Sequence, residues 1–319
     1  MIYENSIWGI ERDVLSGPVK PFSQAIDRLL PVTRSADEDG RMATKGILLD
    51  TTDPFTLCVT DGYRFIKWGD PRSREDLTLV KCQEDYWDKG DIKMILPVEN
   101  YDVPIQTLPD ILKLLKKHDY FTFYASVDET DEKSPGWWYE DTRRYKIDVY
   151  AGASKGESQE KKNSIGTMYS VSARFPNLSK ASPDVCDMEH VTRVDGGLLF
   201  EALDASCKRS KYNKDKNRSD AVILECDEKT LSIRRCEKNA SKGEESSTIP
   251  CKCTDSWKQK VNLFFLRDLC SIGGPMRLLQ GFSKRYYMLG VHPSPISVRW
   301  DDLPLYHSVL MTVVLDPYE

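Results

Sequence analysis

Carboxylates stand side by side at Glu244-Glu245 and at Asp301-Asp302. To share a metal or a proton, both members of a pair must reach one site. Adjacent residues of a strand point to opposite faces, so these pairs read as solvated loop residues. Cys251-x-Cys253 is the one close cysteine pair. A zinc centre would need two further ligands at motif spacing, and His118, His190, His292 and His307 fall in different predicted elements. The chain contains no glycine-rich phosphate loop, no HExxH and no GxSxG. The expectation is a protein that is not an enzyme and that carries no metal and no cofactor. The residues with the clearest chemical character are basic. KRSKYNKDKNR, residues 208–218, has six cations against the single acid Asp215. Such a run suits loose contact with phosphates, or plain solvation.

Composition narrows the classes. The 319 residues are 40% hydrophobic and 30% charged, which is a globular balance with room for two domains. The formal charge of −5 does not advertise a nucleic-acid partner, but binding depends on where cations sit, not on their sum. No apolar run approaches the ~20 residues of a membrane span. The acidic start, MIYENSIWGIERD, lacks the basic and apolar regions of a signal peptide, so the expectation is a cytoplasmic protein. Nine cysteines in no regular framework read as free thiols.

The elements that must position these residues follow from spacing. A first strand is predicted over residues 6–11. A helix follows Pro18 and Pro21, with Phe22, Ile26, Leu29 and Leu30 on its apolar face and Pro31 closing it. Residues 46–49, 55–59 and 64–68 read as strands. The last two flank Asp61-Gly62, which supplies the positive φ of a tight turn. A charged excursion fills residues 69–91, and a strand is predicted at 94–98. The second helix runs over residues 108–118, with Ile111, Leu112, Leu114 and Leu115 inward and Lys113, Lys116 and Lys117 outward. Strands are expected at 120–127, 137–139, 145–150 and 169–174, with residues 155–164 as a polar loop. Phe175-Pro176-Asn177-Leu178 and Pro183 break regular structure and place a boundary near residues 184–187.

The second half begins again. It has a strand at 189–194, a helix over 198–205, the basic loop, and strands at 221–224 and 231–234. A polar turn at 241–247, a strand at 261–265 and a helix at 266–272 come next. Strands at 286–291, 296–300 and 308–315 complete it. Both halves run strand, helix, three or more strands, helix, three or more strands. Residues 47–49 answer to 222–224, and the 108–117 helix to 266–272. The fold class is α+β, as a duplicated unit of antiparallel sheets with two helices each. The domains are residues 1–185 and 186–319.

Four stretches, taken in order, resemble the DNA sliding-clamp family, the bacterial DNA polymerase III beta subunits. MATKGILLD followed by TDGYRFIKW (residues 42–50 and 60–68) is similar to the strand and TDGHR turn of that family. ILPVENYDVPIQTLPDILKLL (95–115) is similar to its strand-then-helix segment. RFPNL (174–178) looks like the link between successive clamp domains. The tail from Tyr306 to Glu319 looks like the closing strand and C-terminus. The match is to the second and third domains of the bacterial clamp.

The resemblance implies a processivity factor that encircles duplex DNA without reading sequence and tethers the replicative polymerase, served by a clamp loader. A family ring has six domains, so a two-domain chain would close as a homotrimer, as eukaryotic and some phage clamps do. Helices line the hole in the family. The implied DNA-binding residues are Lys20, Arg28, Lys113, Lys116 and Lys117 in the first domain, and Lys208, Arg209, Lys211 and Arg267 in the second. The implied cleft for an apolar partner peptide uses Thr60, Gly62, Tyr63, Arg64, Phe65, Pro183, Val313, Leu315, Pro317 and Tyr318. Two departures bear on the docked peptide: Tyr63 replaces the commoner His, and the tail carries Asp316 and Glu319. The alternative is a clamp-fold interaction or transcription-coupling module that does not encircle DNA.

Overall fold

The computed structural model of the chain describes residues 12–33, 42–51, 56–69, 88–89, 93–99, 106–127, 144–152, 163–173, 175–176, 190–209, 221–235, 246–280 and 295–313. The chain divides into two compact units. One comprises Met1–Gly62 and Ile66–Pro176, the other Tyr63–Phe65 and Asn177–Glu319.

In the first unit the order is β1 (Arg12–Pro18), α1 (Val19–Thr33), a 3-10 turn (Met42–Lys45), β2 (Gly46–Asp50), β3 (Thr56–Thr60) and β4 (Arg64–Trp68). It continues with the short β5 (Asp88–Lys89), β6 (Lys93–Pro97), α2 (Leu108–Leu115), β7 (Tyr120–Val127), β8 (Tyr145–Gly152) and β9 (Asn163–Tyr169). Apart from β5, this is strand, helix, three strands, written twice. One sheet runs β1-β7-β8-β9 with β5 outside β1, and the other runs β6-β2-β3-β4. Each half therefore lends its first strand to the other half's sheet.

The second unit does the same. It comprises β10 (His190–Asp195), α3 (Gly196–Arg209), β11 (Ala221–Cys226), β12 (Thr230–Arg235), β13 (Ser246–Cys253) and β14 (Trp257–Asn262). Then come α4 (Leu263–Cys270), β15 (Pro275–Gln280), β16 (Ile296–Trp300), β17 (Leu303–Leu310) and β18 (Thr312–Val313). β14 joins β11-β12-β13, and β10 joins β15-β16-β17. The pairs are antiparallel. The residues aligned by pattern, 47–49 and 222–224, lie in β2 and β11, which hold the same place in their units.

Apolar spacing explains the layers. Phe22, Ile26 and Leu29 form the buried face of α1. Phe22 packs on Phe121 and Phe123 of β7, with ring centroids 4.6 and 5.7 Å away. Burying a side chain of this size contributes roughly 1.5–3 kcal/mol. The close approach of β2 to β6 depends on Gly46, where a Cβ would meet the Leu96 carbonyl oxygen at 2.8 Å.

Several expectations are corrected. Pro31 does not close α1, which runs to Thr33. Proline forfeits one backbone donor there, yet the helix continues, and the Thr33 hydroxyl donates to the Leu30 carbonyl at 2.7 Å. α2 ends at Leu115, and Leu114 is 43% exposed, outside the apolar face assigned to it. The last strand of the first unit is residues 163–169, not 169–174. Its alternation is faint because only Met168 among its side chains is fully buried. The expected 155–164 loop overlaps it. α3 continues through Lys208 and Arg209, which the sequence placed in a loop. The 261–265 strand is β14 ending at Asn262, whose side-chain oxygen accepts from the Phe264 and Phe265 amides and starts α4 there. β13 and β15 lie where a turn or no element was expected. The strands expected at 6–11, 137–139 and 286–291, and the excursion at 69–91 apart from β5, fall outside the described residues.

Thr107 caps α2. Its hydroxyl accepts from the Asp110 amide at 3.4 Å, and the Asp110 carboxylate accepts from the Thr107 hydroxyl at 2.7 Å and the Thr107 amide at 3.3 Å. These bonds, the Thr107 hydroxyl foremost, hold Asp110 below its ordinary value of 3.8. A depressed carboxylate stabilises the fold above its unfolded value, and that contribution disappears as pH falls through the lower folded value. The start of α2 should therefore lose hydrogen-exchange protection only below about pH 3.8. Thr107→Ala should remove about 1 kcal/mol of protection there at neutral pH.

Candidate nucleic-acid and partner interfaces

In the first unit, Lys20 is exposed and Arg28 is half-buried on α1. Asp27 is exposed on the same helix, so the charge of that face is mixed. The end of α2 is more one-sided: Lys113, Lys116 and Lys117 are all exposed. Lys113 meets Asp110 at 3.3 Å in a solvated pair, which is worth little energetically. These lysines extend into water because the opposite face, Leu108, Ile111, Leu112 and Leu115, is buried.

In the second unit, Lys208 and Arg209 occupy the last turn of α3. Lys211 falls outside the described residues. Arg267 on α4 is half-buried between carboxylates, 3.6 Å from Asp204 and 3.3 Å from Asp268, with its guanidinium 5.8 Å from the centre of the Phe264 ring. Arg267 is thus held by protein anions on two sides.

The TDGYR turn is built as the sequence predicts. Gly62 has φ 89°, and its amide donates to the Thr60 hydroxyl at 3.1 Å. Thr60 is buried and Gly62 exposed. The three residues that follow belong to the second unit. Tyr63 is 55% exposed and stacks on Phe265 at 5.5 Å between ring centroids. Arg64 is fully buried. Its Nη1 donates to the Phe265 carbonyl at 2.7 Å, its Nη2 pairs with Asp268 at 3.1 Å, and its guanidinium lies 4.8 Å from the Phe265 ring centre. Phe65 is buried edge-on to His307, and its carbonyl accepts from the Ser308 hydroxyl. The Met311 amide donates to the Tyr63 carbonyl at 2.9 Å, which brings the start of the tail to this turn. Val313 pairs with Lys260 on β14. Pro183, Leu315, Pro317 and Tyr318 fall outside the described residues.

Sequence reasoning missed Phe265 and Asp268, which fix the turn. Asn262 as a helix cap could have placed both on α4, but nothing local pairs them with Arg64, 201 and 204 positions earlier.

The doubled strand-helix-three-strand unit, with first strands exchanged between sheets, can be set beside solved structures. The chain is similar to the beta sliding clamp of Caulobacter crescentus, with 14% identity, TM-score 0.65, and 99% of this chain and 68% of that one covered. It is similar to the DNA polymerase sliding clamp of Pseudomonas aeruginosa, at 16% identity and TM-score 0.64 over 98% of this chain and 70% of that one. For the DNA polymerase III beta subunit of Thermotoga maritima the values are 13%, 0.61, 98% and 69%. The fold is the sliding-clamp fold.

No protein-family model and no curated protein matches the sequence. The clamp fold is thus carried by element order and pairing, while most side chains differ. The clamp helices here are α1 and α2 in one unit and α3 and α4 in the other. Among the described residues no helix is long and apolar enough to cross a membrane.

Proposed function

We propose that this chain is a DNA sliding clamp, a non-catalytic processivity factor that encircles duplex DNA and tethers a polymerase. The observation that carries the reading is the likeness to bacterial clamps over 98–99% of the chain, with the same two-fold internal order in both units. Sequence-independent retention needs cations that meet phosphates without register. Lys20, Arg28, Lys113, Lys116, Lys117, Lys208, Arg209 and Lys211 serve that role, and Arg267, whose charge is offset by Asp204 and Asp268, adds little. The domains are residues 1–185 and 186–319, and three copies supply the six domains of a ring. Double-stranded DNA, a DNA polymerase and a clamp loader are the partners, in the cytoplasm of the host cell.

The test is topological. Protein loaded on nicked circular DNA should stay bound through a high-salt wash and leave when the circle is linearised. Equal loss from circles and linear DNA would instead support a clamp-fold interaction module that does not encircle DNA. Sedimentation with DNA should give a trimer, and dimers alone would refute that stoichiometry.

The polymerase peptide docks in a cleft anchored by Tyr63, for which the resemblance to the clamps implies Gly62, Val313, Leu315, Pro317 and Tyr318 as further contact residues. Thr60, Arg64 and Phe65 hold the turn that carries Tyr63, and Pro183 completes the set that the resemblance implies. An exposed aromatic backed by a second ring is an anchor of the kind that dominates binding energies. Tyr63→Ala should weaken pull-down of the cognate polymerase about tenfold, a loss of about 1.4 kcal/mol, and leave the thermal melt unchanged. Undiminished pull-down would remove Tyr63 from the site.

A further inference from the structure

Three of the cysteines converge at one end of the second unit's sheet. Cys226 is buried at the end of β11, and Cys251 and Cys253 are partly exposed on β13. The Cys226 and Cys251 sulfurs are 3.5 Å apart. Both thiols donate to a single acceptor, the Asp227 carbonyl, at 3.2 and 3.7 Å. Cys253 also meets Cys226, and lies 3.0 Å from the Thr192 hydroxyl and 2.7 Å from the Asp255 carbonyl. The Thr192 hydroxyl is itself anchored by the Trp257 indole N–H at 2.6 Å.

The backbone between the two facing thiols is pinned. The Asp227 carboxylate accepts from the Lys229 and Thr230 amides at 2.9 and 2.7 Å and from the Thr230 hydroxyl at 2.7 Å. The Asp227 amide donates to the Thr230 carbonyl at 3.0 Å, and the Cys251 amide to the Lys229 carbonyl at 2.8 Å. Both sulfur-bearing strands are thereby fastened to the 227–230 turn. A sulfur–sulfur bond is ~2.05 Å long, so the pair has the remaining gap to close. An open cleft of about 370 Å³, lined by Cys251 with Arg193, Lys252 and Met276 among others, leaves room beside Cys251 for a small reagent. Among the described residues no group of His, Cys, Asp and Glu is arranged to hold a metal ion.

We propose that Cys226 and Cys251 are a reversible redox pair that closes to a disulfide by exchange with a low-molecular-weight disulfide such as oxidised glutathione. Cys251, the accessible thiol, is the entry point. Its thiolate attacks one sulfur of the reagent, forms a mixed disulfide and releases one thiolate. Cys226 then attacks the Cys251 sulfur and expels the second. Two protein thiols are oxidised, one reagent disulfide is reduced to two thiols, and the two protons pass to the leaving thiolates. Burial pushes both protein thiols up, so both rest protonated and the exchange takes about minutes to hours. The inference is independent of any DNA-binding role.

The test uses the full chain. It is incubated with excess oxidised glutathione, quenched with N-ethylmaleimide, digested and mapped by mass spectrometry. The expected product is a peptide pair joined at Cys226 and Cys251, lighter by two hydrogens and separated by dithiothreitol. Cys253→Ser should give the same product. Cys226→Ser should halt at glutathionylated Cys251. If that variant does not fold, Cys251→Ser serves instead and should leave Cys226 reduced. A Cys251–Cys253 or Cys226–Cys253 link in the wild-type chain, persistent glutathione on Cys251, or two unreacted thiols would each overturn the pair.

Discussion

Arg64→Ala should lower the stability of the second unit by roughly 3 kcal/mol, because it empties a buried site and takes from Asp268 one of its two guanidinium partners. Arg64 is fully buried while the Asp268 side chain is 28% exposed, so some of the loss is returned by water reaching Asp268. The Phe265 carbonyl also loses a charged donor at 2.7 Å, and a guanidinium-sized space opens beneath the Phe265 ring. Arg64→Lys should recover only part of the loss. A single ammonium cannot reach the carbonyl and the carboxylate with the fixed geometry of a guanidinium. Thermal unfolding followed by near-ultraviolet dichroism reads both variants. A melt within a degree of wild type for Arg64→Ala would mean the pair contributes nothing net. If the turn also presents Tyr63 to a polymerase, Arg64→Ala should weaken polymerase pull-down as well, whereas Tyr63→Ala weakens pull-down alone.

The second large effect concerns DNA. Simultaneous Lys113→Ala, Lys116→Ala and Lys117→Ala should flatten the dependence of log K on log salt concentration by up to about 2.7 per chain, at about 0.9 for each phosphate no longer neutralised. The three side chains are exposed, and surface substitutions of this kind usually change stability by no more than about 0.5 kcal/mol. A fall in affinity with an intact melt is therefore a binding effect. Titration at several salt concentrations gives the slope directly. An unchanged slope would place the end of α2 away from the phosphates. Arg267→Ala makes a useful contrast. Its guanidinium is already held by Asp204 and Asp268, so its removal should cost stability more than it changes the salt slope.

Some of this could be read without coordinates. The Asp61-Gly62 turn, β4, β7 and β16 fall where composition placed them, because each is set by its own residues: a positive-φ glycine, β-branched and aromatic runs, and turn formers at the ends. The doubling of the unit was legible for the same reason, as was the helix beginning at Leu108. Elements whose signal is tertiary were missed. Strand β9 buries too few side chains to alternate. Strand β13 carries polar residues on an exposed face. The apolar start of α4 looked like a strand until Asn262 capped it.

What the sequence determined by itself is the local grammar: which segments extend, which coil, where the chain turns, and that one strand-helix order is repeated. Those choices depend on residues within a few positions of one another. Only the tertiary structure decided that Arg64 is a buried anchor and not a surface contact, that Arg267 is held by two carboxylates, and that Cys226 faces Cys251. Each of these depends on a partner between 25 and 204 residues away, or on a helix packed alongside. Side-chain chemistry states what a guanidinium or a thiol can do. The exclusion of water and the approach of a distant group settle what it does, and no local pattern encodes either.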